Sequence, residues 1–141
     1  MRHRLLVCLS MFVLAMAAAA AQRDAPPEAP PDRLLGTWLG SWDGAGGAGG
    51  FELTLERSKD GPLSGRVSVT GEPEYKATLT EVAFDGGRMT AKYDFPPDES
   101  GVVILTASFE DAKATGTWSL REKATGNEVA NGGWKVAKQA R

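Results

Sequence analysis

Between residues 51 and 121 apolar and polar side chains repeatedly alternate one by one, a period of two that belongs to β-strands with one buried face. Phe51, Leu53 and Leu55 are interleaved with Glu52, Thr54 and Glu56, and Leu63, Gly65, Val67 and Val69 with Ser64, Arg66 and Ser68. The same rhythm runs through Met89, Ala91, Tyr93 and Phe95, and again through Ala114, Gly116, Trp118 and Leu120. No stretch of this region repeats at the period of about 3.6 residues that marks an amphipathic helix.

The punctuation agrees with the period. Lys59-Asp60-Gly61-Pro62, Thr70-Gly71-Glu72-Pro73, Asp85-Gly86-Gly87, the segment Pro96 to Gly101, Glu110-Asp111 and Thr125-Gly126-Asn127 are turn chemistry between apolar runs. Asp85-Gly86 is the strongest hairpin signal, because a tight primed turn needs positive φ and glycine supplies it. The runs predict eight strands, near 37–43, 51–57, 63–70, 75–84, 88–95, 102–109, 113–121 and 129–137. Short connections make them an antiparallel up-and-down meander. A sandwich or a barrel would accommodate them, and the barrel is favoured because pairing the last strand with the first leaves no free edge. The expectation is an all-β fold, a single eight-stranded antiparallel up-and-down β-barrel over residues 34–139.

Ahead of that domain the composition changes twice. Residues 1–21 have the organisation of a signal peptide: Arg2 and Arg4 at a basic start, an apolar run from Leu5 to Met16, and Ala19-Ala20-Ala21 before Gln22 as a cleavage site. The run is shorter than the roughly 20 residues of a membrane span. Cys8 lies inside it rather than after it, the wrong place for a lipid anchor, so no stable membrane anchor is expected. Residues 22–33, with Pro26, Pro27, Pro30 and Pro31, read as an extended Pro-rich leader or linker. The expected destination is the periplasm or the exterior.

Export would narrow the chemistry. The only cysteine, Cys8, and the only histidine, His3, lie in the expected signal peptide, so the remainder has no thiol or imidazole. That excludes disulfides within the chain, triads built on histidine and the usual zinc ligand sets. Of 16 Lys and Arg, Arg2 and Arg4 also lie there, which leaves 14 against 18 Asp and Glu, a net charge of −4. An acidic chain without a basic stripe is a poor partner for nucleic acid. Asp94, Asp98 and Glu99 cluster near Pro96-Pro97 but lack the spacing of a calcium loop. No catalytic residue, metal site or cofactor is assigned.

The sequence returns four times to Gly-x-Trp: Gly36 to Trp38, Gly40 to Trp42, Gly116 to Trp118 and Gly132 to Trp134. The opening Leu34-Leu35-Gly36-Thr37-Trp38 resembles the first strand of the calycin superfamily, which comprises lipocalins, fatty-acid-binding proteins, avidins and certain periplasmic protease inhibitors. The resemblance implies a lipocalin-like barrel in which Gly36 and Trp38 form a structural plug at one end. It also implies a basic partner for Trp38 from near the C-terminus, for which Lys135, Lys138 and Arg141 are candidates. The Thr-Asp-Tyr motif of lipocalins and the disulfides of many relatives are missing, and Gly40 stands where avidins carry a biotin-binding asparagine.

A barrel of this size is either filled by its side chains or holds one small ligand. The expected inward residues mix large ones (Trp42, Phe51, Leu53, Tyr93, Leu105, Phe109, Trp118, Trp134) with small ones (Gly65, Ala77, Ala91, Ala107, Ala114, Gly116). Such alternation suits a filled, tapering interior. If a cavity exists, Trp42, Tyr93, Leu105, Trp118 and Trp134 are the expected ligand-binding residues, with Tyr93 and the indoles as polar handles for a small apolar or amphipathic molecule. The glycines of Gly44 to Gly50 read as a mobile loop at one mouth, without the Lys-Ser/Thr ending of a phosphate loop. Val102-Val103-Ile104-Leu105 is apolar on both faces, so Val102 and Ile104 need a cover: a neighbouring loop, the leader, a protein partner or a second copy of the chain. Two roles follow, a binding protein for a small apolar ligand or an interaction module using its exterior, leader or glycine segment.

Overall fold

The computed structural model describes residues 32–57, 61 and 63–140. The expected signal peptide, most of the Pro-rich leader, most of the 59–62 turn and Arg141 lie outside the described residues. A short 3₁₀ turn, Asp32–Leu34, precedes nine strands: β1 Gly36–Gly44, β2 Gly47–Arg57, β3 Leu63–Val69, β4 Tyr75–Thr78, β5 Glu81–Asp85, β6 Arg88–Asp94, β7 Gly101–Glu110, β8 Lys113–Glu122 and β9 Glu128–Lys138. They form one antiparallel sheet in the order β4-β3-β2-β1-β9-β8-β7-β6-β5. The all-β meander is as the alternation predicts, and the first and last long strands are paired, Trp38 opposite Lys138 and Trp42 opposite Trp134.

The strand count differs by one. The single strand expected over 75–84 is two, because its inward rhythm breaks: Tyr75, Ala77 and Leu79 are two apart, whereas Leu79 and Val82 are three apart. At the break the backbone changes partner. Leu79 N–H donates to the Gly65 carbonyl at 2.8 Å, while Thr80 N–H donates to the Lys92 carbonyl at 2.8 Å. The two end strands of the sheet, β4 on β3 and β5 on β6, are therefore successive pieces of one segment, and the sheet curls until its ends meet along the chain.

The glycine-rich stretch is also different from expectation. Residues 44–50 are not a long loop: Ala45 and Gly46 alone make the turn, Gly44 pairs with Gly47, and Gly47 to Gly50 belong to β2. Glycine is suited to this place because β2 runs close to its neighbour; a Cβ on Gly49 would lie 1.9 Å from the Thr70 carbonyl oxygen.

The inner face of the curled sheet is packed hardest at one end. Trp38 is 0% exposed and meets Phe109 edge-on at 4.9 Å, and Phe84 lies against Phe109 at 5.4 Å. Leu34, Leu55, Met89, Ala114 and Val136 are buried in the same core.

Three of the four tryptophans stand directly across the sheet from a glycine: Trp42 from Gly49, Trp118 from Gly132 and Trp134 from Gly116. On β8 and β9 the arrangement is reciprocal, each Gly-x-Trp presenting its glycine to the other's indole. The Trp42 and Trp118 indoles lie directly over the glycines opposite them, their Nε1 atoms 2.9 and 2.7 Å from where a Cβ on Gly49 and Gly132 would stand. Trp42 reaches across β2 to donate to the Thr70 carbonyl at 3.0 Å, and Trp118 reaches across β9 to donate to the Asp43 carbonyl at 2.8 Å. Two of the four copies of the motif thus reach past the neighbouring strand.

Candidate functional site

At the end opposite Trp38 the interior is not filled. An open-mouthed cavity of about 270 Å³ lies among Trp42, Phe51, Tyr75, Tyr93, Leu105 and Trp118, with Val69, Phe95, Val103 and Leu120 completing apolar walls. The alternation explains the placement: the wall residues come from the end of β1, the middle of β2, the ends of β3, β6 and β8, and the starts of β4 and β7. All those strand ends lie on one side of the sheet. Exposed Glu72 is the one charged residue among the lining residues.

The structure gathers four of the five expected ligand-binding residues, Trp42, Tyr93, Leu105 and Trp118, around this cavity. Trp134 is not among them. It is buried beside Phe51, ring to ring at 5.0 Å, and stands behind that wall residue. The expected role of the indoles as polar handles is corrected. Trp42 and Trp118 spend their N–H groups on the Thr70 and Asp43 carbonyls, and Trp134 donates to Thr117 O at 3.0 Å. An indole has one donor, so none is left for a ligand.

The polarity of the walls rests instead on a pair the sequence did not connect. The hydroxyls of Tyr75 and Tyr93 meet at 2.7 Å, their rings 6.1 Å apart, and Phe95 packs edge-on against Tyr75 at 5.4 Å. Burial lifts the Tyr75 phenol above the ordinary value of 10.0, offset in part by its bond with Tyr93. Tyr93, 2% exposed, is lifted well above that value by burial first and by the neighbouring Tyr75 second.

These are the only two tyrosines of the chain. The folded protein keeps protons that the unfolded chain releases near pH 10, so the pair's contribution is constant below that pH and declines as the pH rises above it. An alkaline titration followed by tyrosinate absorbance and by unfolding should show the two signals rising together. Both tyrosines ionising at their ordinary value in a folded protein would contradict this.

At the filled end, the Trp38 indole donates to the Leu34 carbonyl at 3.1 Å, and Lys138 lies with its ammonium 5.9 Å from the ring centroid. Lys138 Nζ also donates to the Arg33 carbonyl. Gly36, at φ +122, begins β1 beside the Lys138 side chain. Of the other basic candidates, Lys135 is exposed on β9.

The acidic cluster separates into ordinary surface pairs. Asp94 faces Lys123 at 3.0 Å, and Asp98 accepts from the Ser100 hydroxyl at 2.7 Å and its N–H at 3.0 Å, bonds that hold its carboxyl below the usual range. Among the described residues no group of three or more His, Cys, Asp and Glu is placed to hold a metal ion. Val102 and Ile104 are half-buried on the outer face, between Asp94 and Arg121 and between Lys92 and Ser119 respectively. Long basic stems beside them can cover apolar surface while the charges stay in water.

Val69, Tyr75, Phe95, Val103 and Leu120 are apolar wall residues that the expected inward set leaves out. Their signal was available in part, since each continues an alternating run, but alternation gives the face and not the height at which the interior opens. Comparison with protein-family models and with curated proteins finds no match to this chain.

Proposed function

We propose that this is an exported, non-enzymatic binding protein that holds one small apolar or amphipathic molecule inside a calycin-like barrel. The observation that carries the reading is the asymmetry of the interior: one end filled around Trp38, the other opening on an apolar cavity of about 270 Å³. An unfilled apolar space in a close-packed protein forfeits dispersion contacts unless something occupies it. Engineered apolar cavities of about 150 Å³ take up benzene, and pockets for drug-sized ligands usually begin near 300 Å³. The expected ligand is therefore about one or two rings in size.

Several features support the finer parts of the proposal. The meander order, the pairing of β1 with β9 and the partner exchange at Leu79-Thr80 suit a barrel that works as eight staves. Lys138 beside a buried Trp38 suits the calycin resemblance. Export rests on the organisation of residues 1–21. The alternative, a protein-interaction module, has less beneath it: the glycine segment is used in a hairpin, and Val102 and Ile104 are flanked by long basic stems.

Native mass spectrometry of protein purified gently from its host, with tryptophan fluorescence, tests the reading. A bound molecule that alters the emission of Trp42 and Trp118 and leaves on denaturation is the expected result. Val103→Phe, which adds a ring to the cavity wall, should weaken binding of an apolar probe at least about tenfold while the protein stays folded. A protein that carries no ligand and whose fluorescence ignores apolar probes would sink the proposal.

A further inference from the structure

The cavity's polar inventory is short enough to count. Side chains with hydrogen-bonding groups on its lining are Trp42, Trp118, Glu72, Tyr75 and Tyr93. Both indole N–H groups are committed to backbone carbonyls. Glu72 is exposed, and no lysine or arginine is among the lining residues. What remains is the hydroxyl pair. Two phenols carry two protons, and one O–H···O bond of 2.7 Å uses only one of them. Whichever tyrosine donates to the other, the acceptor's own proton has no partner among the described residues, and lone pairs remain on both oxygens.

We infer that the Tyr75–Tyr93 hydroxyl pair is the recognition point of the cavity, and that it selects a neutral ring molecule carrying one hydroxyl or carbonyl group over the corresponding hydrocarbon or carboxylate. The inference rests on the binding role proposed above and names the ligand class. A hydroxyl or carbonyl oxygen on the ligand accepts the spare proton while its rings lie among Phe51, Leu105 and Phe95. The apolar walls alone would hold a hydrocarbon of the same shape, but the spare hydroxyl proton would then be shut away from water without an acceptor, which costs binding. A carboxylate would lose its hydration in an apolar site with no cation to replace it and Glu72 as the one charge among the walls, and that arrangement disfavours an anion. Raised phenol pKa values fit the same picture, because both hydroxyls stay protonated at neutral pH and keep the donor.

The test is a matched series on the full chain as exported: naphthalene, a naphthol and a naphthoate, followed by tryptophan fluorescence and calorimetry at neutral pH. The naphthol should bind about five- to tenfold more tightly than naphthalene, the value of one hydrogen bond. The naphthoate should bind at least about tenfold more weakly than the naphthol. In the Tyr75→Phe/Tyr93→Phe double variant the naphthol should lose its advantage while naphthalene binds at least as tightly as to the wild type, because no hydroxyl proton is then buried without an acceptor, and that retained binding also shows that the cavity has kept its shape. Naphthalene binding as well as the naphthol, or the naphthoate binding best, overturns this inference and leaves the binding cavity standing. No binding by any of the three overturns both. The wild-type series decides the matter even if the double variant does not fold.

Discussion

Replacing Trp38 by alanine is expected to lower the stability of the folded chain by about 3–5 kcal/mol, the usual cost of truncating a fully buried indole. Trp38 is 0% exposed, its ring is met edge-on by Phe109 at 4.9 Å, and its N–H donates to the Leu34 carbonyl. Alanine would leave a void at the packed end and also an acceptor in the 3₁₀ turn without its donor. Lys138→Met is the control. The ammonium lies 5.9 Å from the ring and the side chain is half-buried, so its loss should cost about 1 kcal/mol or less. Chemical denaturation of the three proteins under one set of conditions measures both. A Trp38→Ala protein within about 1 kcal/mol of the wild type would mean that the filled end does not anchor the fold.

The second large effect is expected at a residue with no side chain. In Gly132→Ala the new Cβ would stand 1.9 Å from the Asp43 carbonyl oxygen, 2.6 Å from Gly44 Cα and 2.7 Å from Trp118 Nε1. Backbone cannot yield as a flexible side chain can, so β9 must part from β1 or lose the indole that crosses it. A loss of about 3 kcal/mol is expected, at the upper end of what overpacking costs. The near-ultraviolet circular dichroism of the tryptophans should change with it, because Trp118 must give up its bond to Asp43. Gly126→Ala, with open space around the new atom, has φ +74 and should cost only the strain of a left-handed residue, about 1 kcal/mol. Equal effects at the two glycines would show that close approach is not what β9 needs.

Much of this architecture can be read in the sequence because it depends on neighbours two residues apart. Phe51, Leu53 and Leu55, or Met89, Ala91 and Tyr93, declare their buried face by alternation alone, and the hairpin at Gly86 declares itself by its turn chemistry. The break at Leu79-Thr80 was there as a spacing of three between Leu79 and Val82, but a short interruption in one strand looks the same as an ordinary irregularity until its two halves are seen on different partners. Glycines 44 to 50 look like a loop by composition, and it takes the close approach of Thr70 to make them a strand.

The site was less legible for a different reason. Which residues face inward is a local property, whereas the height at which the interior stops being filled depends on how bulky residues from all the strands stack. Trp134 and Trp42 share the same motif and the same face, yet one is behind the wall and the other is in it. The hydroxyl pair joins residues 18 positions apart on strands that are not paired with each other. No spacing rule would bring Tyr75 to Tyr93.

The interlocked Gly-x-Trp motifs of β8 and β9 act as a two-toothed key for strand alignment. Antiparallel strands can slide by two residues and keep every side chain on its proper face, so burial alone does not forbid that error. Here it is forbidden by shape. With Trp118 opposite Gly132 and Trp134 opposite Gly116, each bulky tooth enters an empty notch. A slide of two in one direction would set Trp118 against Trp134, two indoles where one fits. The same slide in the other direction would set Gly116 against Gly132 and leave bare backbone with no ring to cover it. Only one alignment fills both notches, and it is the one that brings the chain's last long strand to lie against its first.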